Sequence, residues 1–243
     1  MRMITFAKRC TKEILRDPIN LVFGLGFPLT LLLLLSALQA NIPVSLFEID
    51  ILTPGISVFG LSFMTLFSAT LVAKDRESAL LQRLYTTPLT GVDFIIGYML
   101  PLLPIALGQT IVCYLFAFPL GLTPSVNIVY AVIGMIPMAV FNIALGLLCG
   151  SILGVKQVGG ICGALLTNLS AWLSGVWFDL KLVGSVFEKI ANVLPFVHAV
   201  ELEKALFSGD FGLAATHILP ILLYSLTTTV LAVFCFLRQI KCV

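Results

Sequence analysis

Long apolar segments dominate this sequence and limit what the chain can fold into. A helix needs about 20 mostly apolar residues to cross the hydrocarbon core of a bilayer. Six segments of the chain meet that length: residues 19–40, 51–73, 93–118, 126–153, 157–178 and 214–237. We therefore expect an all-α membrane protein with six transmembrane helices, because a helix satisfies its own backbone hydrogen bonds in lipid.

The composition supports this expectation. Of the 243 residues, 59% are hydrophobic and 11% are charged, whereas about a quarter of the residues in a soluble domain are charged. No hydrophilic stretch is long enough to form a separate soluble domain, so we expect one transmembrane domain over residues 1–243. The first apolar run is too long for the core of a signal peptide, and we expect the N-terminus to be kept.

Lysine and arginine are divided unevenly between the connections. Of the 14 basic residues, eleven lie on the side that carries both termini and three lie on the other side. Cytoplasmic connections carry the excess of basic residues. We therefore expect both termini, and the connection between the second and third spans, to be cytoplasmic.

The first 17 residues have the pattern of an amphipathic helix. The apolar face carries Met3, Ala7, Cys10 and Ile14, joined by Ile4 and Leu15. Basic residues occupy the other face, so residues 1–17 are predicted to be an interfacial helix that ends at Asp17-Pro18. The alternative is a solvated basic start that only orients the first span.

Residues 179–208, between the fifth and sixth spans, are predicted to form short external re-entrant helices broken at Pro195. His198, Glu201 and Glu203 lie close together in this segment. The chain has only two histidines and no further ligand cluster. A solvated interfacial helix is therefore favoured over a metal site.

The connection between the second and third spans holds a dense run of charge. Residues 74–77, Lys-Asp-Arg-Glu, end the second span, and a short helix can continue until Thr87-Pro88. Thr90 and Asp93 have the spacing of a capping box before the third span. From the residues alone, a solvated hairpin that satisfies the positive-inside rule is an equal interpretation.

Two stretches resemble the ABC-2 type permeases, which are the membrane subunits of bacterial ABC exporters. The stretch "DRESALLQRLYTTPLT" is similar to that family's coupling helix, although Ser78 stands where many members have glycine. The stretch "LSGVWFDLKLVGSVFEKIANVLPFVHAVELEKAL" resembles the end of its fifth span and its external helices. The resemblance covers nearly the whole chain.

The resemblance implies partners for this chain. Residues 74–88 would be a coupling helix that docks into an ABC ATPase subunit. Its expected contact residues are Arg76, Glu77, Leu80, Leu81, Arg83 and Leu84. The family implies two ATPase subunits, a second permease subunit that is identical or related, and a bacterial cytoplasmic membrane. No nucleic-acid partner is expected.

The chain lacks the motif that would bind nucleotide. No G-x-x-x-x-G-K-[ST] loop occurs in it, so ATP and Mg²⁺ are expected on the partner ATPase and no cofactor on this chain. The stretch "LSGVW" is similar to an ABC ATPase signature but lies at the external end of a span. An intramembrane enzyme is disfavoured because no span pairs a histidine with a suitable partner. We expect this chain not to be an enzyme.

Uncharged polar residues inside the predicted spans are candidates for a translocation pathway. They are Gln109, Asn142, Thr167, Asn168, Ser170 and Ser174. The equal alternative is that they form hydrogen bonds between helices. No charged residue lies in the middle of a span, which disfavours an ion-driven mechanism.

The sequence thus predicts the permease of an ATP-driven exporter. Its substrate would be amphipathic or hydrophobic, such as a drug, an antimicrobial peptide or a lipid-like molecule, and resistance to drugs or antibiotics would follow. The alternative is a non-transporting membrane anchor or a channel subunit.

Glycines recur at intervals of four residues in two predicted spans. They are Gly146, Gly150 and Gly154 in the fourth span and Gly159 and Gly163 in the fifth. This spacing allows close approach of helices. The partner helix could belong to the same subunit or to a second one.

Overall fold

The computed structural model describes residues 2–43, 47–78, 80, 90–178 and 180–241. Within these ranges the regular structure is helical and no strand occurs. In chain order the α-helices are α1 (Arg2–Leu15), α2 (Pro18–Gln39), α3 (Ile49–Glu77), α4 (Gly91–Ala117), α5 (Asn127–Gly134), α6 (Ile136–Ile152), α7 (Val155–Val158), α8 (Thr167–Leu173), α9 (Leu180–Val183), α10 (Ser185–Val193), α11 (Pro195–Ser208) and α12 (Phe211–Lys241). A 3₁₀ turn, Phe118–Leu120, follows α4, and a π-helix, Gly159–Leu166, joins α7 to α8.

Five helical stretches in the described part of the chain are long and apolar enough to cross a membrane. They are Asn20–Gln39, Ile49–Glu77, Gly91–Leu120, Asn127–Ile152 and Phe211–Arg238. These correspond to the first four predicted spans and to the sixth. The prediction of an all-helical protein with several membrane-spanning helices is therefore confirmed.

The segment predicted as the fifth span is divided between helix types. Residues 155–173 form one helical run that passes from α7 through the π-helix into α8. The Thr167 hydroxyl donates to the carbonyl of Cys162, five residues earlier, at 3.0 Å. The π-helix, whose turns are wider than those of an α-helix, interrupts the regular α-helix that the apolar sequence predicts.

Helix α3 lies at the centre of the bundle. In its most apolar 18 residues, 89% are buried, whereas the corresponding share is 22% in the first and last spans. Several of its buried hydroxyl groups donate to carbonyls of their own helix: Ser57 donates to Thr53, and Ser68 donates to Met64. The helix can therefore be enclosed on all sides without leaving these groups unsatisfied.

Glycines bring α6 into close contact with α3. A Cβ atom added at Gly146 would overlap the Ser68 side chain and the Thr65 carbonyl, and one added at Gly150 would overlap the backbone of Ala69. The Thr65 hydroxyl also donates to the Asn142 carbonyl at 3.0 Å. The predicted close approach at these two glycines therefore occurs within one subunit.

The glycines of the predicted fifth span have a different environment. Among the described residues, a Cβ atom at Gly159 would meet no atom within 4 Å, and one at Gly163 would make only ordinary contact with Leu66. Within the chain, Gly159 and Gly163 do not create the close approach that their spacing predicts.

Helix α1 packs on α4 through an apolar face that agrees only in part with the predicted one. Phe6 makes edge-to-face contacts with Phe94 and Tyr98, with ring centroids 5.5 and 4.9 Å apart, and Cys10 is fully buried. Ile4 and Leu15, which the prediction added to the apolar face, do not pack against α4, since they are 50% and 62% exposed. The buried face centres on Phe6 and Cys10, and Ile4 and Leu15 lie at an angle to it.

Two predicted helix boundaries are confirmed. Helix α1 ends at Leu15, and Asp17 caps α2 by accepting a hydrogen bond from the Asn20 amide at 3.3 Å. Thr90 and Asp93 form the predicted capping box at the start of α4. In both places a short polar side chain satisfies amides that the first helical turn leaves without a carbonyl partner.

Helices α10 and α11, which precede the last span, differ in burial. In α10 only Ala191 is buried, and its apolar residues Val186 and Val193 are 71% and 67% exposed. In α11, which begins at Pro195, one face is buried from Phe196 to Ala205 against the bundle. Helix α11 is therefore part of the protein interior, and the expectation of a solvated helix is wrong for it.

We predict that Gly146→Ala lowers the stability of the protein. The added methyl group would overlap the Thr65 carbonyl, and overpacking of this kind costs about 1–3 kcal/mol. The unfolding temperature of the detergent-solubilised chain measures the effect. Gly108→Ala is the matched control, because a Cβ there meets no atom within 4 Å. Equal unfolding temperatures for the two variants would contradict the close approach of α3 and α6.

Candidate functional site at the charged end of α3

The last turn of α3 carries a buried acidic residue that joins three helices. Asp75 is 1% exposed. Its carboxylate accepts two hydrogen bonds from the Arg9 guanidinium, both at 2.5 Å, and one from the Tyr98 hydroxyl at 2.8 Å. Arg9 lies on α1 and Tyr98 on α4, so this carboxylate fixes both helices to the end of α3.

Two acids, Asp75 and Glu13, contact the same cation, Arg9. Burial by itself would lower the pKa of Arg9. The hydrogen bonds to Asp75 and its negative charge have the larger effect, so the pKa of Arg9 is raised. Glu13 contacts the same guanidinium at 2.6 Å. Burial and the neighbouring Asp75 raise the pKa of Glu13. Loss of Arg9 would leave Asp75 as an uncompensated buried charge, which is strongly destabilising.

A second ion pair links the same turn to the start of α2. The Lys74 ammonium lies 3.0 Å from the Asp17 carboxylate. Burial by itself would raise the pKa of Asp17, but hydrogen bonds from Lys74 and Asn20 lower this pKa below its usual value. Asp17 therefore both caps α2 and contacts α3.

The Arg-Glu pair that ends α3 contacts the connection between α6 and α7. The Arg76 guanidinium donates to the carbonyls of Ser151 and Leu153, the latter at 2.7 Å. The Glu77 carboxylate accepts a hydrogen bond from the Val155 amide at 2.9 Å. Both side chains are thus used within the chain, at the place where one helix ends and the next begins.

The remaining predicted coupling residues have different positions. Leu80 is helical and half-buried, whereas Leu81, Arg83 and Leu84 lie outside the described residues. Contact of this segment with an ATPase stays a prediction. The sequence identified Arg76 and Glu77 as important, but their partners are more than 70 residues away and no local pattern indicates them.

The predicted pathway residues differ in burial and in their hydrogen-bond partners. Gln109, Asn142, Thr167, Ser170 and Ser174 are buried, and Asn168 is exposed. The hydroxyls of Ser170 and Ser174 donate to carbonyls three residues earlier in the chain, and the Asn168 amide donates to the Ala164 carbonyl. Two contacts join helices: Gln109 donates to the Ser57 carbonyl at 3.4 Å, and Thr65 donates to Asn142. These contacts favour the hydrogen-bonding interpretation, and a pathway stays a prediction.

Helix α11 carries a buried acid, Glu203, where the sequence predicts a solvated one. Glu203 has no exposed surface, and its Oε1 atom accepts a hydrogen bond from the Tyr114 hydroxyl of α4 at 3.0 Å. Its Oε2 atom has no hydrogen-bond partner among the described residues. Burial raises the pKa of Glu203. The spacing of Phe196, Ala199, Val200 and Glu203 is the signal that places this acid on the apolar face.

The other polar residues of α11 have partners of their own. The Nδ1 atoms of His198 and His217 are 3.0 Å apart, and His198 Nε2 lies 2.9 Å from the Asn192 carbonyl. Glu201 accepts a hydrogen bond from Lys204 at 2.9 Å. The two histidines therefore join α11 to the last span.

We predict that Glu203→Gln stabilises the protein more at pH 8 than at pH 5. A carboxyl whose pKa is raised in the folded state loses stability as the pH rises above its unfolded value, about 4.3. Glutamine does not titrate and can still accept the Tyr114 hydrogen bond. Unfolding temperatures at the two pH values test this. Glu201→Gln, at a partly exposed acid, is the control that should show no such gain. A gain for Glu203→Gln that is equal at both pH values would contradict the prediction.

The chain was compared with known proteins at the level of family, sequence and structure. A family model described as ABC-2 type transporter matches residues 1–207, from α1 almost to the end of α11. No curated protein and no solved structure gives a significant match. The matched region includes the charged end of α3 and more than four-fifths of the 243 residues. The chain therefore belongs to the ABC-2 type transporter family.

Proposed function

We propose that this chain is the permease subunit of an ATP-driven exporter. The observation that carries the proposal is the family match over a chain whose central helix, α3, leads directly into the predicted coupling segment. Helix α3 is continuous over 29 residues and is packed on all sides. A displacement at its charged end would therefore move a helix that contacts most of the bundle.

The proposed permease has six spans. The run of 19 residues from 155 to 173 is helical throughout. Its length of 19 residues is close to the about 20 residues that a spanning helix needs. An even number of spans puts both termini on one side. The excess of basic residues on that side supports a cytoplasmic location in a bacterial plasma membrane.

The energy source in this proposal is a pair of separate ATPase subunits that hold ATP and Mg²⁺. Leu80, Leu81 and Leu84 would provide apolar contacts to an ATPase, and Arg83 a charged one. A second permease subunit would complete the complex. The uncharged polar residues of the spans suit an amphipathic or hydrophobic substrate that leaves the cytoplasm or the inner leaflet.

We predict that Leu81→Ala combined with Leu84→Ala releases the ATPase. Removal of two apolar anchors at an interface should weaken association at least about tenfold. The measurement is co-purification of the tagged chain from its native membranes, with mass spectrometry to identify subunits that carry a nucleotide-binding loop. Leu219→Ala combined with Leu226→Ala is the control, because these leucines are exposed on the last span, at 61% and 63%.

Two outcomes would count against this proposal. Retention of the ATPase by the variant at the level of the control would contradict docking through these leucines. Absence of any ATPase from the unaltered chain, in a detergent that preserves other membrane complexes, would favour the membrane anchor or channel instead.

A further inference from the structure

Arg76 and Glu77 lie against two helix ends of opposite polarity. The last carbonyls of a helix lack amide partners and carry partial negative charge, and the first amides carry partial positive charge. Arg76 binds carbonyls at the end of α6, and Glu77 binds the first amide of α7. Each side chain therefore meets the helix end that its charge favours.

The connection itself is short and closely fitted to this pair. It comprises Leu153 and Gly154. The Gly154 amide donates to the Gln157 side chain at 3.0 Å, and a Cβ at Gly154 would lie 3.5 Å from the Glu77 carboxylate. One turn earlier, Gly150 packs directly on Ala69 of α3. The end of α3 and the α6–α7 connection are thus joined by charged hydrogen bonds, and the helices that lead to them are in close contact at Ala69 and Gly150.

These contacts point to a role other than docking. We infer that Arg76 and Glu77 are positioning residues that transmit movement of the coupling segment to the α6–α7 connection. The inference rests on the proposed function, because it requires an ATPase that displaces residues 78–89. Arg76 is half-buried and Glu77 is exposed, but both side chains bind within the chain. The docking contacts would therefore come from the residues that follow them.

The helical run after the connection suits such a transfer. Helix α7 has only four residues and leads straight into the π-helix Gly159–Leu166. π-Turns are rare and are frequently found at functional sites. Gly159 and Gly160 have open space where a Cβ would lie. A displacement of Val155 would therefore pass into the π-helix, where Gly159 and Gly160 offer no side chain that would resist it.

The test uses the full permease–ATPase complex and hydrogen exchange of residues 151–158. In the unaltered complex, we expect ATP with vanadate to change the exchange of these amides. In Arg76→Lys the ATPase should still co-purify, but the nucleotide-dependent change should be lost. Without nucleotide, exchange should be about tenfold faster, because lysine cannot reproduce the forked contacts of arginine and charged hydrogen bonds are lost.

A conservative variant and a control sharpen the test. Glu77→Gln keeps a hydrogen-bond acceptor for Val155 but loses the charge, so its exchange should lie between those of the unaltered chain and Arg76→Lys. Arg16→Lys, at an exposed arginine, should behave like the unaltered chain. It makes the same chemical change away from the connection.

The outcomes separate this inference from the proposed function. A nucleotide-dependent change that persists in Arg76→Lys would overturn the inference. So would loss of the ATPase from Arg76→Lys with unchanged exchange at residues 151–158, which would make Arg76 a docking residue. If no ATPase accompanies the unaltered chain, the exporter proposal itself is wrong and the inference is wrong with it.

Discussion

The enclosure of α3 is the constraint on which the rest of this structure depends. A helix that is packed on all sides can carry charge only at its ends or against a dedicated partner. In α3 the hydroxyls of Ser57 and Ser68 donate to their own helix and that of Thr65 donates to α6, and charge in its last turn is matched by α1, α2 and α6. The buried Asp75 requires a cation, and Arg9 of the N-terminal helix supplies it. Helix α1 is therefore held by the protein through an ion pair as well as by the apolar face around Phe6.

Features that depend on local chemistry were predictable from the sequence. The long apolar helices, the break at Asp17-Pro18 and the capping box at Thr90 each follow from a few adjacent residues. Gly146 and Gly150 also indicated close packing, although their spacing could not say against which helix. The π-helix was not predictable, because a uniformly apolar segment has no periodicity that would reveal a change of helical register.

Features that depend on distant partners were not predictable. Serine and threonine in a span can always bond to their own helix, so their presence does not distinguish a pathway from a packed interface. The sequence predicts a solvated Glu203, because most acidic residues are exposed. Its burial follows from the insertion of α11 into the bundle, where Tyr114 provides the hydroxyl that its carboxyl group needs.

The adjacency of Arg76 and Glu77 has a physical reason. Consecutive residues on a helix point about 100° apart, so neighbouring opposite charges do not pair well with each other. They can instead reach two sites of opposite polarity, and the junction of two helices provides both within three residues, at Leu153 and Val155. The order of the pair matters, since a carboxylate placed against the α6 carbonyls would be repelled by the negative end of that helix. An Arg-Glu step at the end of α3 therefore fixes the α6–α7 connection in one orientation, and any movement of α3 must carry that connection with it or break both contacts.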